Sequence, residues 1–180
     1  LDGNDRELLY EDSIKVNEVL EEGGVLNVLM AENYDEKERL WKVRRSIGEI
    51  VKLKSTYKEE DTVVPRANLP HLMGYLKELE NEYGFECVCY GHAGDGNLHI
   101  NILKNNLTQM QWDEELPKAI RSLFNKCLEL GGTISGEHGI GLVQKQYLDV
   151  VFKPIHFKLM KEIKQVFDPN GILNPGKIFD

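Results

Sequence analysis

Two kinds of hydrophobic periodicity alternate along the chain, and together they predict both helices and strands. Apolar residues three or four positions apart predict helices over 6–22, 36–51, 70–83 and 108–130, and a last helix over 154–167. Short apolar runs or strict alternation predict strands over 25–30, 62–64, 85–90 and 98–103. We therefore predict an α+β fold, with a mainly antiparallel sheet and helices packed on it.

Local signals refine these boundaries. Asp35 is a candidate N-cap for the second helix, and Thr108 with Gln111 forms a capping box for the fourth. Pro117 lies well inside that helix and should kink it. The charged segment 54–61 is interpreted as a loop. The apolar residues of the second and last helices are expected to face inward.

The densest concentration of chemically capable residues lies between positions 90 and 103. The pair Asp95-Gly96 predicts a two-residue type I′ turn, which would place His92 directly opposite His99. Asn101 lies two residues beyond His99 and so shares its face. Two imidazoles at that separation can share one divalent metal ion if at least one more ligand is present.

A second glycine-rich stretch, 131–142, offers the third ligand. Glu137 and His138 are adjacent there, with glycines on both sides. The alternative is that the hairpin histidines are hydrogen-bonded turn residues and that Glu137-His138 is a solvated loop. Because polar residues recur in two glycine-rich loops, we favour a functional site over packing alone.

Three motifs resemble one known family. G-H-A-G-D-G-N-L-H at 91–99, G-G-T-I-S-G-E-H-G-I-G at 131–141 and F-D-P-N-G-I-L-N-P-G-K at 167–177 are similar to the C-terminal domain of FAD-linked oxidases. That family includes enzymes that act on glycolate, D-lactate and D-2-hydroxyglutarate. The resemblance covers essentially the whole chain. It implies that 1–180 is a ferredoxin-like-type cap domain that binds substrate, and that the FAD-binding domain is absent from this chain.

The resemblance also implies roles for individual residues. His92, His99 and Glu137 would bind a divalent metal ion, with Zn²⁺ the expected species. His138 would be the general base for a small 2-hydroxy acid, whose α-carbon would release hydride to FAD. In such a loop either Glu137 or His138 could turn inward, so the assignment of ligand and base between them stays open.

Further residues are implied for substrate and cofactor. Arg44, in a W-x-x-R string, would bind the substrate carboxylate with its planar guanidinium. Asn101 would orient the substrate, and Lys58 is a second candidate cation, although a plain surface lysine fits it equally well. Asn174 and Lys177, in the N-P-G-K segment, would return towards the flavin.

Composition narrows the class of partner. The net charge of −8, from 22 basic and 30 acidic residues, argues against nucleic acid and anionic membrane surfaces. No apolar run approaches the roughly 20 residues of a membrane span. The odd number of cysteines, 3, without framework spacing, indicates reduced thiols and a cytoplasmic location.

Three expectations remain about the activity of the chain. No dinucleotide-binding or P-loop motif is present, so a redox cofactor would sit mostly on the FAD-binding domain, and other oxidase subunits are possible partners. The isolated chain is therefore expected to be catalytically inactive. A self-contained metallohydrolase that uses the same ligands, or a non-catalytic docking domain, are the alternative functions.

Overall fold

The computed structural model describes residue 1 and residues 3–179, apart from the side chain of Lys52. Within it the chain forms two compact units, Leu1–Gly48 and Glu49–Asp180. Each unit is described by itself below.

Two helices account for most of the first unit. Helix α1 spans Arg6–Glu22, and the Asp5 side chain caps it by accepting hydrogen bonds from the first free N–H groups. Helix α2 spans Tyr34–Lys54, and its residues belong to both units. The predicted cap Asp35 is wrong, because the Asn33 side chain accepts the bond from the backbone N–H of Glu36 at 3.0 Å.

Two predictions for the N-terminal region are wrong. Residues 25–30 form no strand, and Leu26 is fully exposed. Most of the apolar stripe of α2 does not face inward as expected, since Leu40 is 42% and Trp41 is 45% exposed, although Val51 near the end of the helix is buried. Periodicity identifies which face of a helix is apolar, but only a packing partner buries that face.

A three-stranded antiparallel sheet forms the centre of the second unit. Its strands are β1 (Tyr57–Val63), β2 (Glu86–His92) and β3 (Asn97–Leu103), in the spatial order β1-β3-β2. Strand β1 is longer than predicted and takes in most of the segment that we interpreted as a loop. Its charged residues alternate between the two faces of the sheet, which concealed the strand pattern in the sequence.

Four helices complete the unit: α3 (Leu69–Tyr83), α4 (Leu116–Glu129), α5 (Leu148–Val151) and α6 (Pro154–Phe167). The stripe of Leu72, Leu76 and Leu79 on α3 is buried as the period predicts, in one apolar cluster with Ile100 of β3 and Phe124 of α4. The core therefore lies on the face of the sheet that carries the side chain of Ile100.

Three sequence predictions concern the segment before α4 and the last helix, α6. The capping box is confirmed, because Thr108 N–H donates to Gln111 Oε1 at 3.0 Å and Gln111 N–H donates to Thr108 Oγ1 at 3.2 Å. A π-helical turn, Gln111–Glu115, precedes α4, so the irregularity lies before Pro117 rather than at it. In α6 the apolar residues Ile163 and Phe167 are exposed, against expectation.

The fold class is confirmed as α+β with an antiparallel sheet. Within the described part of the chain, no helix has the length and apolar character needed to cross a membrane.

Candidate metal and substrate site

The β2–β3 hairpin closes through a four-residue loop, not through the predicted type I′ turn. That turn needs positive φ at two consecutive residues, and Gly96 has a φ of 74° whereas Asp95 is not in that region. The register pairs His92 with Asn97 instead of His99. The predicted register is therefore wrong by two residues. Because side chains alternate between the faces with a period of two, His92 and His99 still share one face. Their ring centroids are 6.2 Å apart.

The face of the sheet opposite the core is polar. It carries His92, His99 and Asn101 from the hairpin, and Glu59 and Asp61 from β1, and we call these five residues the polar face. The central member is His99, which lies on the middle strand and is only 7% exposed. Asn101 is also buried, and its amide donates to the carbonyl of Val88 at 3.3 Å.

Lys58 does not join the polar face. It precedes Glu59 in β1 and pairs with Ile102, so its side chain leaves the sheet on the core side. The structure therefore does not bring this predicted substrate cation to the histidines.

Asp61 connects the sheet to the loop that carries Glu137 and His138. Its Oδ2 accepts hydrogen bonds from the backbone N–H groups of Glu137 at 2.6 Å and His138 at 2.7 Å. Its Oδ1 accepts one from the Asn97 amide at 2.6 Å. Burial alone would raise the pKa of Asp61, but these donors outweigh burial and hold the pKa below its usual range. Sequence reasoning missed Asp61 because it lay in the presumed loop.

The three predicted metal ligands converge. His99 Nε2 lies 3.5 Å from Glu137 Oε2, and His92 Nε2 lies 3.8 Å from Glu137 Oε1. The donor atoms chosen from the three residues all lie within 4.8 Å of one another. These separations are too long for hydrogen bonds. They are a few tenths of an ångström wider than the roughly 3.3 Å between ligands of tetrahedral zinc. The set therefore offers three donor atoms to a small divalent ion, which would draw them closer together on binding.

A second set of donors overlaps the first. Glu59, His99 and His138 also offer atoms within 4.8 Å of one another. The His138 ring stacks on that of His99, with centroids 5.0 Å apart and an interplanar angle of 29°. His99 is thus common to both sets, and a metal ion held by the first set leaves His138 free beside it.

A cavity of about 300 Å³ adjoins this cluster. Glu59, His138 and residues 139–144 line it. Its volume is at the lower end of the range for ligand cavities, about 300–1,000 Å³. It therefore suits a small substrate beside the free face of His138.

Arg44 lies in the unit Leu1–Gly48, where it lines a cavity of about 390 Å³ with Lys37 and Trp41. Its neighbour Arg45 pairs with Glu38 at 2.9 Å. Among the described residues Arg44 has no such acidic partner. The role of Arg44 in substrate binding stays a prediction.

The C-terminal segment with Asn174 and Lys177 is exposed, and Lys177 Nζ donates to Asn174 Oδ1 at 2.9 Å. The backbone N–H of Ile178 donates to the carbonyl of Gly141 at 3.0 Å. This hydrogen bond connects the segment to the glycine-rich loop that carries His138. Contact of either residue with a flavin stays a prediction.

Comparison with known proteins gives one consistent family. The family of FAD linked oxidases, C-terminal domain, matches residues 1–178. A D-lactate dehydrogenase of Anaerostipes hadrus is 38% identical over 178 residues, 98% of this chain and 38% of the relative. The glycolate oxidase subunit GlcD of Bacillus subtilis is 35% identical over 176 residues, 96% of this chain and 37% of the relative.

A third relative, the D-2-hydroxyglutarate dehydrogenase of Stutzerimonas stutzeri, is 38% identical over 168 residues, 89% of this chain and 35% of the relative. The chain thus spans little more than a third of the length of these relatives.

Proposed function

The chain belongs to the family of C-terminal domains of FAD-linked oxidases, and from that premise we propose that it is the substrate- and metal-binding domain of a flavin-dependent 2-hydroxy-acid oxidoreductase. The names of three relatives, which refer to D-lactate, glycolate and D-2-hydroxyglutarate, support this substrate class. All three substrates carry a hydroxyl group next to a carboxylate. The flavin, held by a partner domain of the parent protein, would supply the hydride acceptor.

One observation carries the proposal: His92, His99 and Glu137 present three ligand atoms within 4.8 Å of one another. They do so where the polar face meets the loop of His138, a residue that lines a cavity. Two imidazoles and one carboxylate form a ligand set that leaves coordination positions open. A divalent cation bound there, Zn²⁺ or a similar ion, would supply a Lewis acid that favours the ionised form of a substrate hydroxyl group.

His138 is the proposed general base. It is exposed, borders the small cavity and stacks on His99 without belonging to the proposed ligand set. A neutral imidazole in that place would accept the hydroxyl proton at a ring nitrogen. Asp61 supports this role because it accepts the backbone N–H of His138 and so fixes the chain at that point.

Asn101 and Arg44 are proposed to orient the substrate. The buried Asn101 shares the polar face with His99, and an amide there can donate to a substrate oxygen. Arg44 would provide the bidentate partner of the carboxylate. We leave Lys58 out of the proposed substrate contacts, because its side chain lies on the core face. Asn174 and Lys177 remain the proposed flavin contacts.

Metal content tests the proposal directly. We expect the purified chain, after incubation with Zn²⁺ or Mn²⁺ and removal of free ion, to retain close to one equivalent by mass spectrometry. A His92→Ala/His99→Ala variant should lose that metal because two of its three ligands are gone. His71→Ala is the matched control, since His71 is an exposed residue of α3. Retention of metal by the double variant, or no metal in any sample, would contradict the proposal.

Turnover separates the redox proposal from its alternatives. The metal-loaded chain should not oxidise D-lactate or glycolate with an artificial acceptor unless a flavoprotein partner is added. Hydrolysis of a simple ester that depends on His92 and His99 would favour a metallohydrolase instead. Metal binding without any activity in the presence of the flavin domain would favour a docking domain.

A further inference from the structure

The proposed site contains one buried nitrogen without a partner. His99 Nδ1 is inaccessible to solvent and makes no hydrogen bond within the described part of the chain. Leaving a buried polar atom unsatisfied destabilises the folded state. The other ring nitrogen, Nε2, is the one that faces Glu137, at 3.5 Å. Nδ1 therefore points away from the proposed metal ligand and towards β1.

Two carboxylates lie near His99 Nδ1. Glu59 Oε1 is 3.6 Å away and Asp61 Oδ1 is 3.8 Å away. Asp61 already accepts three hydrogen bonds, two on Oδ2 and one on Oδ1. The carboxylate of Glu59, in contrast, accepts no other hydrogen bond that the described residues provide. Glu59 is also the nearer of the two carboxylates to Nδ1. It therefore has lone pairs free to accept a hydrogen bond and the shorter distance to close.

The register of the sheet places Glu59 for this contact. Glu59 lies opposite Asn101, and His99 is the next residue of β3 on the same face. Diagonal neighbours of this kind are within reach of long side chains. A small rotation of the Glu59 side chain would shorten 3.6 Å to the 2.7–3.2 Å of an N–H···O bond.

We infer that Glu59 is a positioning residue that accepts the Nδ1–H of His99 and so directs Nε2 towards the metal. The inference rests on the proposed function of the site. A histidine that binds metal through one nitrogen carries its proton on the other, and a carboxylate that accepts this proton fixes the tautomer and the ring orientation. The competing arrangement makes Glu59 a metal ligand itself, together with His99 and His138.

Two variants separate these arrangements. Glu59→Ala removes the acceptor and should weaken Zn²⁺ binding about 10–100-fold in a chelator competition assay. Glu59→Gln keeps an amide oxygen that can accept Nδ1–H and should retain the affinity within a few-fold. If Glu59 were a ligand, both variants would lose affinity alike, because a neutral amide replaces a carboxylate ligand poorly. Glu78→Ala, at an exposed position of α3, is the matched control.

The tautomer gives a second readout that does not need metal. Imidazole nitrogen resonances recorded at about pH 9 should show the Nδ1–H form in the wild type and in Glu59→Gln. In Glu59→Ala the preference for that form should be lost. An Nε2–H form in the wild type, or equal zinc affinity in all variants, overturns the role of Glu59. A wild-type chain that binds no Zn²⁺ would overturn the proposed function. The tautomer measurement would then still test the role of Glu59, because it needs no metal.

Discussion

At the scale of single residues, one buried carboxylate does more to assemble the site than any ligand. Asp61 joins β1, the hairpin and the glycine-rich loop through bonds to Asn97, Glu137 and His138. A carboxylate accepts at both oxygens, so all three donors are satisfied at once. An amide in the same place would turn one N–H group towards another donor.

We therefore expect Asp61→Asn to destabilise the chain by about 2 kcal/mol, because at least one buried donor loses its acceptor. Urea denaturation followed by circular dichroism measures this change. Hydrogen exchange at the amides of Glu137 and His138 should become faster in the same variant. Asp95→Asn, at an exposed position of the hairpin loop, is the control. Equal stability and equal exchange in the two variants would contradict the role given to Asp61.

The residue scale also shows what a pattern of residue types can predict. His92, His99 and Glu137 are recognisable as ligand candidates from the sequence, because an Asp-Gly turn brings two histidines to one face and an acidic residue lies in a glycine-rich stretch. Glu59 and Asp61 were missed, since acidic residues in a charged segment look like solvated surface. Their significance depends on the partner strand, which the sequence around them does not reveal.

At the scale of elements, the hairpin depends on one glycine. Gly96 has a φ of 74°, and a Cβ there would meet the carbonyl oxygen of Val64. The backbone of Val64 is held close to Gly96, because the N–H of Val64 donates a hydrogen bond to the carbonyl of Gly96 at 3.0 Å. Gly94, two residues earlier in the loop, has open space around it.

This contrast gives a matched pair of substitutions. Gly96→Ala should destabilise the chain by about 1–2 kcal/mol from the left-handed backbone alone, with the contact to Val64 added. Gly94→Ala should change the unfolding free energy by no more than about 0.5 kcal/mol, or stabilise slightly. Thermal and urea denaturation of both variants measures the difference. Equal effects would mean that the loop adopts another conformation.

Elements were predictable to the extent that their periodicity was strong. The buried stripe of α3 and the alternation of β3 are both confirmed. The strand expected over 25–30 does not form, because a short apolar run becomes a strand only where a second strand pairs with it. The length of strand β1 was underestimated. Its charged residues have a weak preference for strand structure, but pairing with β3 makes them a strand.

At the scale of the whole molecule, the unit Glu49–Asp180 contains a buried acidic group on its core side. Glu60 is fully buried, and the Gln144 amide donates to its Oε2 at 2.9 Å. Burial raises the pKa of Glu60 to about 7, although the Gln144 bond opposes the shift. The folded state therefore holds this proton more tightly than the unfolded state does.

The sign of the pH dependence follows from that shift. The contribution of Glu60 is favourable below about pH 4.5, the ordinary range of a glutamate, and is lost as pH rises through about 7. At about 1.4 kcal/mol per pH unit, the loss amounts to about 3 kcal/mol. Glu60→Gln should remove it, so the variant should be more stable than the wild type at pH 8 but not at pH 4.5.

Urea denaturation of wild type and Glu60→Gln across this pH range measures the effect. Glu78→Gln is the control, since its exposed side chain has no buried charge to relieve. A constant difference between Glu60→Gln and wild type at every pH would contradict a raised pKa in the folded state.

The α+β class, the family and the set of ligand candidates can be read from the sequence alone, because they follow from periodicity and from rare residue types in ordered motifs. The hairpin register, the extent of β1 and the face on which each charged residue lies are evident only in the folded structure. It placed Glu59 and Asp61 beside His99 and turned Lys58 away. The reason is that a side chain in a strand points up or down according to its pairing, and pairing is a long-range property.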